Sequence, residues 1–179
     1  EWAVVLANQA IFLREQGAVL EAAELLEQAE AIWAEHPGAR PTQRAEFLLV
    51  LGNNLADQGR APEADSVYRE ALEIQRRLLP DQPAVGFTLN GLGLVAQTLG
   101  DPVASEEWLR QALEQLRRSL GEEHAQTANV RTNLAELLLG DPVRAAEADS
   151  LLERAIRDLE AGAPRSSILS TALQNLAGL

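Results

Sequence analysis

A chain of 179 residues with 46% hydrophobic and 23% charged residues has the make-up of a folded domain or a stack of similar small units. Fifteen arginines against 27 carboxylates give a formal charge of −12, which excludes a nucleic-acid binder driven by phosphate neutralisation and disfavours anionic membrane. No apolar run approaches the length of a membrane span, the first residues do not spell a secretory leader, and the lack of cysteine removes disulfides, zinc-thiolate sites and thiol nucleophiles.

The chain lacks methionine even at position 1 and carries no lysine. It therefore reads as a piece of a longer protein from a GC-rich bacterium, and a cytoplasmic one.

In chain order, the first apolar stripe is Leu6, Gln9, Ala10 and Leu13, predicting a helix over 2–16 that Gly17 closes. Polar Gln9 marks it as a less buried end helix. Ala22, Leu26 and Ala29 place a second helix over 19–35, stopped at Pro37. Leu48, Leu51, Gly52 and Leu55 then predict 42–58, closed by Gly59. Ala64, Tyr68, Ala71 and Leu72 predict 62–79, stopped by Pro80. The third copy is Leu89, Leu92, Gly93 and Ala96 over 83–99 up to Gly100, then Ser105, Leu109, Ala112 and Leu113 over 102–120 up to Gly121. In the fourth, Arg131, Leu134, Ala135 and Leu138 predict 124–139, with Arg131 in an apolar slot and Gly140 arriving two residues early. Ala148, Leu152, Ala155 and Ile156 predict 143–161 up to Gly162, and a ninth helix starts near Ser166. Asp101 and Asp141 are placed to cap second helices, with Pro102 and Pro142 in the first turn where a missing N–H costs nothing.

These copies share one period. The glycines at 17, 59, 100 and 140 recur every 40 to 42 residues, and Glu63-Ala-Asp-Ser66 recurs as Glu147-Ala-Asp-Ser150, twice 42 later. No strict alternation marks a strand. With Gly52, Gly93 or Ala135 on a first helix and Ala71, Ala112 or Ala155 on its partner, backbones are expected to approach closely, leucines on either side filling the seam. One pair cannot bury both its faces, so pairs must stack on their neighbours.

Leu-Gly or Leu-Ala in the first helix, a turn glycine and alanines seven apart in the second resemble the tetratricopeptide repeat. The 42-residue period is similar to the longer variant of kinesin light chains. Glu70-Ala-Leu-Glu-Ile74, Leu79-Pro-Asp-Gln-Pro83 and Thr88-Leu-Asn-Gly-Leu-Gly93 carry the likeness most clearly. The resemblance implies an all-α, right-handed α–α superhelix of four helix pairs plus a ninth helix, a single repeat domain over 1–179. Its units are 1–38, 39–81, 82–122, 123–163 and a partial 164–179.

It also implies a concave face, lined by first helices, that holds a peptide or partner segment. The positions beside each packing stripe are Glu46, Leu49, Val50, Asn53 and Asp57, then Phe87, Asn90, Gly91, Leu94 and Gln97. Asn129, Thr132, Asn133 and Glu136 follow, then Gln174 and Asn175. Asn53, Phe87, Asn90, Leu94, Asn129, Asn133 and Glu136 are the favoured contacts, because an asparagine amide both donates and accepts along a peptide backbone. Family members that clamp a terminal carboxylate do so with basic residues. The matching positions here hold Ala7, Ile11, Val50, Asn129 and Asn133, so that activity is rejected.

Other motifs dissolve on inspection. Gly91-Leu-Gly-Leu-Val-Ala96 spells a dinucleotide loop but lies inside a predicted helix, without the strand before it that such a loop needs. His36 and His124 are lone loop histidines, His124 favouring a local hydrogen bond over metal. The Glu-Ala-Asp-Ser copies read as solvated helix faces. Trp2, Trp33, Trp108 and Tyr68 read as packing residues. No nucleophile–base constellation is present. The expectation is a non-catalytic protein-interaction module with no cofactor, favouring a neutral or basic protein or peptide over nucleic acid or membrane. The alternatives are a regulatory segment of a larger bacterial signalling protein, such as a Ser/Thr kinase, and a scaffold for self-association.

Overall fold

A computed structural model describes residues 1–36, 40–162 and 167–177. The stop expected at Pro37 and the start expected at Ser166 lie outside the described residues. Among those described, regular structure is entirely helical. It comprises α1 (Trp2–Glu15), α2 (Val19–Glu35), α3 (Pro41–Asp57), α4 (Ala61–Leu78), α5 (Pro83–Thr98), α6 (Pro102–Leu120), α7 (Ala125–Leu138), α8 (Ala145–Gly162) and α9 (Ser167–Ala177). The chain gathers into two compact units, Glu1–Pro80 and Asp81–Leu179.

The turns show why the helices stop where they do. Gly17, Gly59 and Gly100 sit at φ of +79°, +75° and +81°, a region where a side chain is strained. After each, the next N–H reaches back to the same carbonyl of the last helical turn: Ala18 to Leu13, Arg60 to Leu55 and Asp101 to Ala96, all at 2.9 Å. That is a glycine C-cap with its long return bond. The fourth turn departs from it. Asp141 N–H bonds instead to Leu138 O at 3.0 Å, and the left-handed glycine conformation is absent at Gly140. The chain then makes a 3₁₀ turn over Pro142–Arg144, capped by Asp141, before α8 begins. Arriving two residues early removes the room for the long return bond, so the second helix expected from 143 starts at Ala145.

In the first unit, α1 packs on α2, α3 on α4, and both α1 and α2 on α3. Ala22, Leu26 and Ala29 from α2 and Leu48, Leu51 and Leu55 from α3 are buried, as are Ala64, Ala71 and Leu72 of α4. The seam between α3 and α4 is tight at one point: a Cβ on Gly52 would lie 2.5 Å from Tyr68 Cε1. Two further contacts fix α3 against the first pair. Trp33 and Phe47 pack as a tilted pair with ring centroids 6.3 Å apart, and Asn54 Nδ2 donates to Val19 O at 3.0 Å.

The second unit repeats this logic. A Cβ on Gly93 would meet Leu109 Cγ at 2.7 Å, and one on Gly86 would meet Leu116 Cγ at 2.5 Å. The glycines therefore make room for a large side chain of the partner helix. Tyr68 and Leu109, about one turn before the buried Ala71 and Ala112 on the same helix faces, fill the slots at Gly52 and Gly93. Trp2, read as a packing residue, is exposed, and Gln9 is exposed as an end-helix position should be.

Arg131, occupying an apolar slot in the repeat, is buried at 4% exposure. It donates to Asp158 Oδ2 at 2.6 Å and to Glu122 O at 2.9 Å, and pairs with the Glu122 carboxylate. Asp158, 6% exposed, also accepts from Arg154 Nε at 3.0 Å. A charge enters the core here because it is paired and hydrogen-bonded: Arg131 donates to two carboxylates and a carbonyl, and both oxygens of Asp158 accept from arginines. Breaking such a pair strands the survivor. Asp158→Ala is expected to lower the unfolding free energy by about 3 kcal/mol, the Glu122 partner remaining, whereas Arg131→Leu with Asp158→Leu is expected to cost clearly less. Urea unfolding monitored by circular dichroism checks the order of the two midpoints.

Candidate functional site

On α1, Val4, Ala7, Asn8 and Ile11 follow i, i+3, i+4, i+7 and so share one face. On α3 the same spacing aligns Gln43, Glu46, Phe47 and Val50. Together with Leu49 these side chains line a cleft of about 260 Å³ between the two first helices of the first unit. Its floor is aliphatic and aromatic, with amides and the exposed Glu46 carboxylate at the edge. No basic side chain lines it. The three carboxylate-clamp positions of this unit, Ala7, Ile11 and Val50, are all in its wall, which makes it a site for apolar groups rather than for an anion.

Asn53 does not project freely beside this cleft. It is half-buried and its Oδ1 accepts from the Tyr68 hydroxyl at 2.7 Å. Burial pushes the Tyr68 phenol above its ordinary pKa, so the hydroxyl keeps the proton that it donates. Asp57 is likewise engaged, pairing with Arg14 Nε at 2.5 Å.

In the second unit, Phe87, Asn90 and Leu94 lie at i, i+3, i+7 on α5, and Asn129, Asn133 and Glu136 at i, i+4, i+7 on α7. The structure joins these two faces through one bond, Asn133 Nδ2 to Asn90 Oδ1 at 2.9 Å. Leu94 and Glu136 are exposed; Phe87, Asn90, Asn129 and Asn133 are half-buried. Gly91 and Thr132, expected beside the stripe, are instead buried. The Thr132 hydroxyl donates to Ala128 O at 3.1 Å.

The sequence reading missed Val4, Asn8, Gln43 and Phe47. Each belongs to a second stripe running beside the packing stripe on α1 or α3, which was the signal available for finding it.

The remaining polar groups have structural work. His124 Nδ1 accepts from Gln126 N–H at 3.2 Å and caps α7, the local bond expected of it. Arg144 holds the Glu106 carboxyl below the usual range, and Arg110 does the same for Glu147. These carboxylates stay ionised near neutrality and are poor proton donors. No group of three His, Asp or Glu residues suited to a metal ion occurs among the described residues. None of the described helices is long and apolar enough to cross a membrane.

The Asn90–Asn133 bond has an energetic signature. Asn133→Ala leaves the Asn90 carbonyl half-buried without its donor, an expected loss of about 1 kcal/mol, while Asn90→Ala with Asn133→Ala removes both partners and is expected to cost no more. Thermal melts of the two variants test this.

Comparison with known proteins places the chain among repeat structures. A family model described as tetratricopeptide repeat matches residues 3–77, 43–115 and 87–161. No curated protein matches significantly. Among solved structures, BtubC (BKLC) from P. vanneervenii superposes with a TM-score of 0.81 at 23% identity, covering 97% of this chain and 69% of that one. The kinesin light chain TPR-like repeats of Podosopora anserina, themselves a putative assignment, superpose at 0.78 with 22% identity, over 99% of this chain and 86% of theirs. A chain of the APC/C hetero-tetramer Cut9-Hcn1 gives 0.75 at 18% identity, over 98% of this chain and 30% of that one. At these identities the likeness shows the fold.

Proposed function

Because this chain belongs to the tetratricopeptide repeat family, we propose that it is a non-catalytic protein-interaction module that holds a peptide or partner segment on the first-helix faces of its repeats. The observation that carries this reading is the apolar cleft between α1 and α3. Among the described residues it is open to solvent between two first helices.

The chemistry of that cleft selects its occupant. Val4, Ile11, Phe47 and Val50 suit an aliphatic or aromatic side chain, and burying one such side chain contributes roughly 1.5–3 kcal/mol. Gln43 and Asn8 offer donors and acceptors to the backbone beside it, and Glu46 with the overall charge of −12 favours a neutral or basic segment. On the second unit, Asn90 and Asn133 keep unused hydrogen-bonding capacity after bonding each other, since an amide offers two N–H groups and two carbonyl lone pairs.

The test is capture of partners from a lysate of the source organism with three baits: the parent chain, Ile11→Arg with Val50→Arg, and Asn90→Ala with Asn133→Ala. A protein retained by the parent chain is expected to be lost by the cleft variant and weakened by the asparagine variant, at unchanged helical circular dichroism. Equal retention by all three would remove the first-helix faces from the account.

A further inference from the structure

In the second unit a ring of charge joins consecutive second helices. Arg110 of α6 donates to Glu106 of its own helix at 2.9 Å and to Glu147 of α8 at 2.6 Å. Arg144, in the 3₁₀ turn before α8, donates to the same two carboxylates, at 3.0 Å and 2.6 Å. Two guanidiniums and two carboxylates thus neutralise one another between α6 and α8.

The repeat assembles the same four positions in the first unit from different residues. Ala22 and Ala29 of α2 lie 83 residues before Ser105 and Ala112 of α6, and Ala64 of α4 lies 84 before Ala148 of α8. In that register Glu106, Arg110, Arg144 and Glu147 correspond to Ala23, Glu27, Arg60 and Glu63. The bond between the last two is kept, Arg60 donating to the Glu63 carboxylate at 2.7 Å and 2.5 Å. The other arginine of the ring has become Glu27, and the other glutamate has become Ala23.

All four of these residues line a groove of about 200 Å³ between α2 and α4. The small Ala23 leaves room where α6 has a glutamate. Leu51 and Leu55 of α3 are its buried floor, and the half-buried Val67 is part of its side. Glu30 also lines it, adding a carboxylate where α6 has Leu113. Arg60 is the one basic side chain among the described lining residues and is committed to Glu63, so Glu27 and Glu30 form no ion pair. The hydrogen bond to Glu63 first, and the field of Glu27 more weakly, hold the Arg60 guanidinium above its ordinary pKa; Glu27 therefore acts on this site. Three carboxylates face one guanidinium here, against two and two in the second unit. The groove lacks the cation that its counterpart contains.

We infer that the groove between α2 and α4 receives an arginine side chain from a partner protein. The incoming guanidinium takes the place that Arg110 fills in the second unit, between Glu27 and Glu63. Its methylene stem lies along Ala23, Leu55 and Val67. Arginine suits the site better than lysine because its planar fork serves two carboxylates at once. A second copy of the chain is a poor source, since it brings a net charge of −12 toward an acidic groove. The groove shares no lining residue with the cleft between α1 and α3, so this inference stands apart from the first-helix faces.

The probe is a blocked pentapeptide with a central arginine flanked by glycines, and its lysine and citrulline counterparts, titrated into isotope-labelled protein and followed by amide NMR. At millimolar concentration the arginine peptide is expected to give saturable shifts at Ala23, Glu27, Glu63 and Val67. The lysine peptide is expected to bind at least threefold more weakly, and citrulline, which keeps the shape without the charge, to give no shifts. Glu27→Arg writes the second unit's residue into the first and is expected to abolish the shifts, with helical circular dichroism unchanged. Glu123→Arg, the same charge change at another exposed position, is expected to alter affinity less than twofold. Absence of shifts at the groove, an equal response to the lysine or citrulline peptide, or equal losses from the two charge reversals would overturn the proposal. So would a dimer in sedimentation velocity that Glu27→Arg dissolves, since the arginine would then come from a second copy.

Discussion

The structure depends on a steric complement: a first-helix position without a side chain receives a bulky side chain from the second helix of the same pair. Gly52 takes the Tyr68 ring, Gly93 takes Leu109, and Gly86 takes Leu116. In each case even a methyl group would lie closer than van der Waals contact allows. Glycine inside a helix is unfavourable by about 1 kcal/mol relative to alanine. Its presence at these points therefore signals that close packing of the pair returns more than that. Burial of Tyr68, Leu109 and Leu116 to near-zero exposure is the return.

That complement also decides which surfaces are left for a partner. Once second-helix side chains fill the slots, one stripe of each first helix is committed to the core. The adjoining stripe keeps some exposure: Val4 and Ile11 on α1, Gln43, Glu46 and Val50 on α3, and Phe87, Asn90 and Leu94 on α5. This stripe mixes aliphatic groups and amides with few charges, whereas the outer faces of α4, α6 and α8 carry arginine–carboxylate pairs. The division leaves mostly uncharged groups on first helices and ion pairs on second helices. The exception is α2, which carries five glutamates and no basic residue.

The helices and their pairing were legible in the sequence because a single period constrains them. Three glycine C-caps, the alanine ladder and the leucine stripe fix each boundary to within a residue or two from Trp2 to Leu120. Where the period breaks, legibility broke with it. Gly140 comes two residues early, so the fourth turn bonds differently and α8 is preceded by a 3₁₀ turn. Arg131 looked like a misfit because its acids, Glu122 and Asp158, lie 9 and 27 residues away and only tertiary packing brings them together. The side chain that fills each glycine slot was not legible, since periodicity reports which face is buried but not the axial offset between two helices. The candidate site was legible as a set of faces. The Asn90–Asn133 bond, the Tyr68–Asn53 bond and the apolar lining contributed by Phe47 were not, because each depends on where one helix lies along another.

The most direct measurement of the steric complement is a two-position cycle at Gly93 and Leu109, followed by chemical denaturation. With Leu109 in place, Gly93→Ala must displace the leucine and is predicted to destabilise the protein despite alanine's better helix propensity. In the Leu109→Ala background the slot is vacant, and the same Gly93→Ala change is predicted to stabilise by up to about 1 kcal/mol. The account would be contradicted if Gly93→Ala had the same effect in both backgrounds, for the glycine would then not be there to admit Leu109.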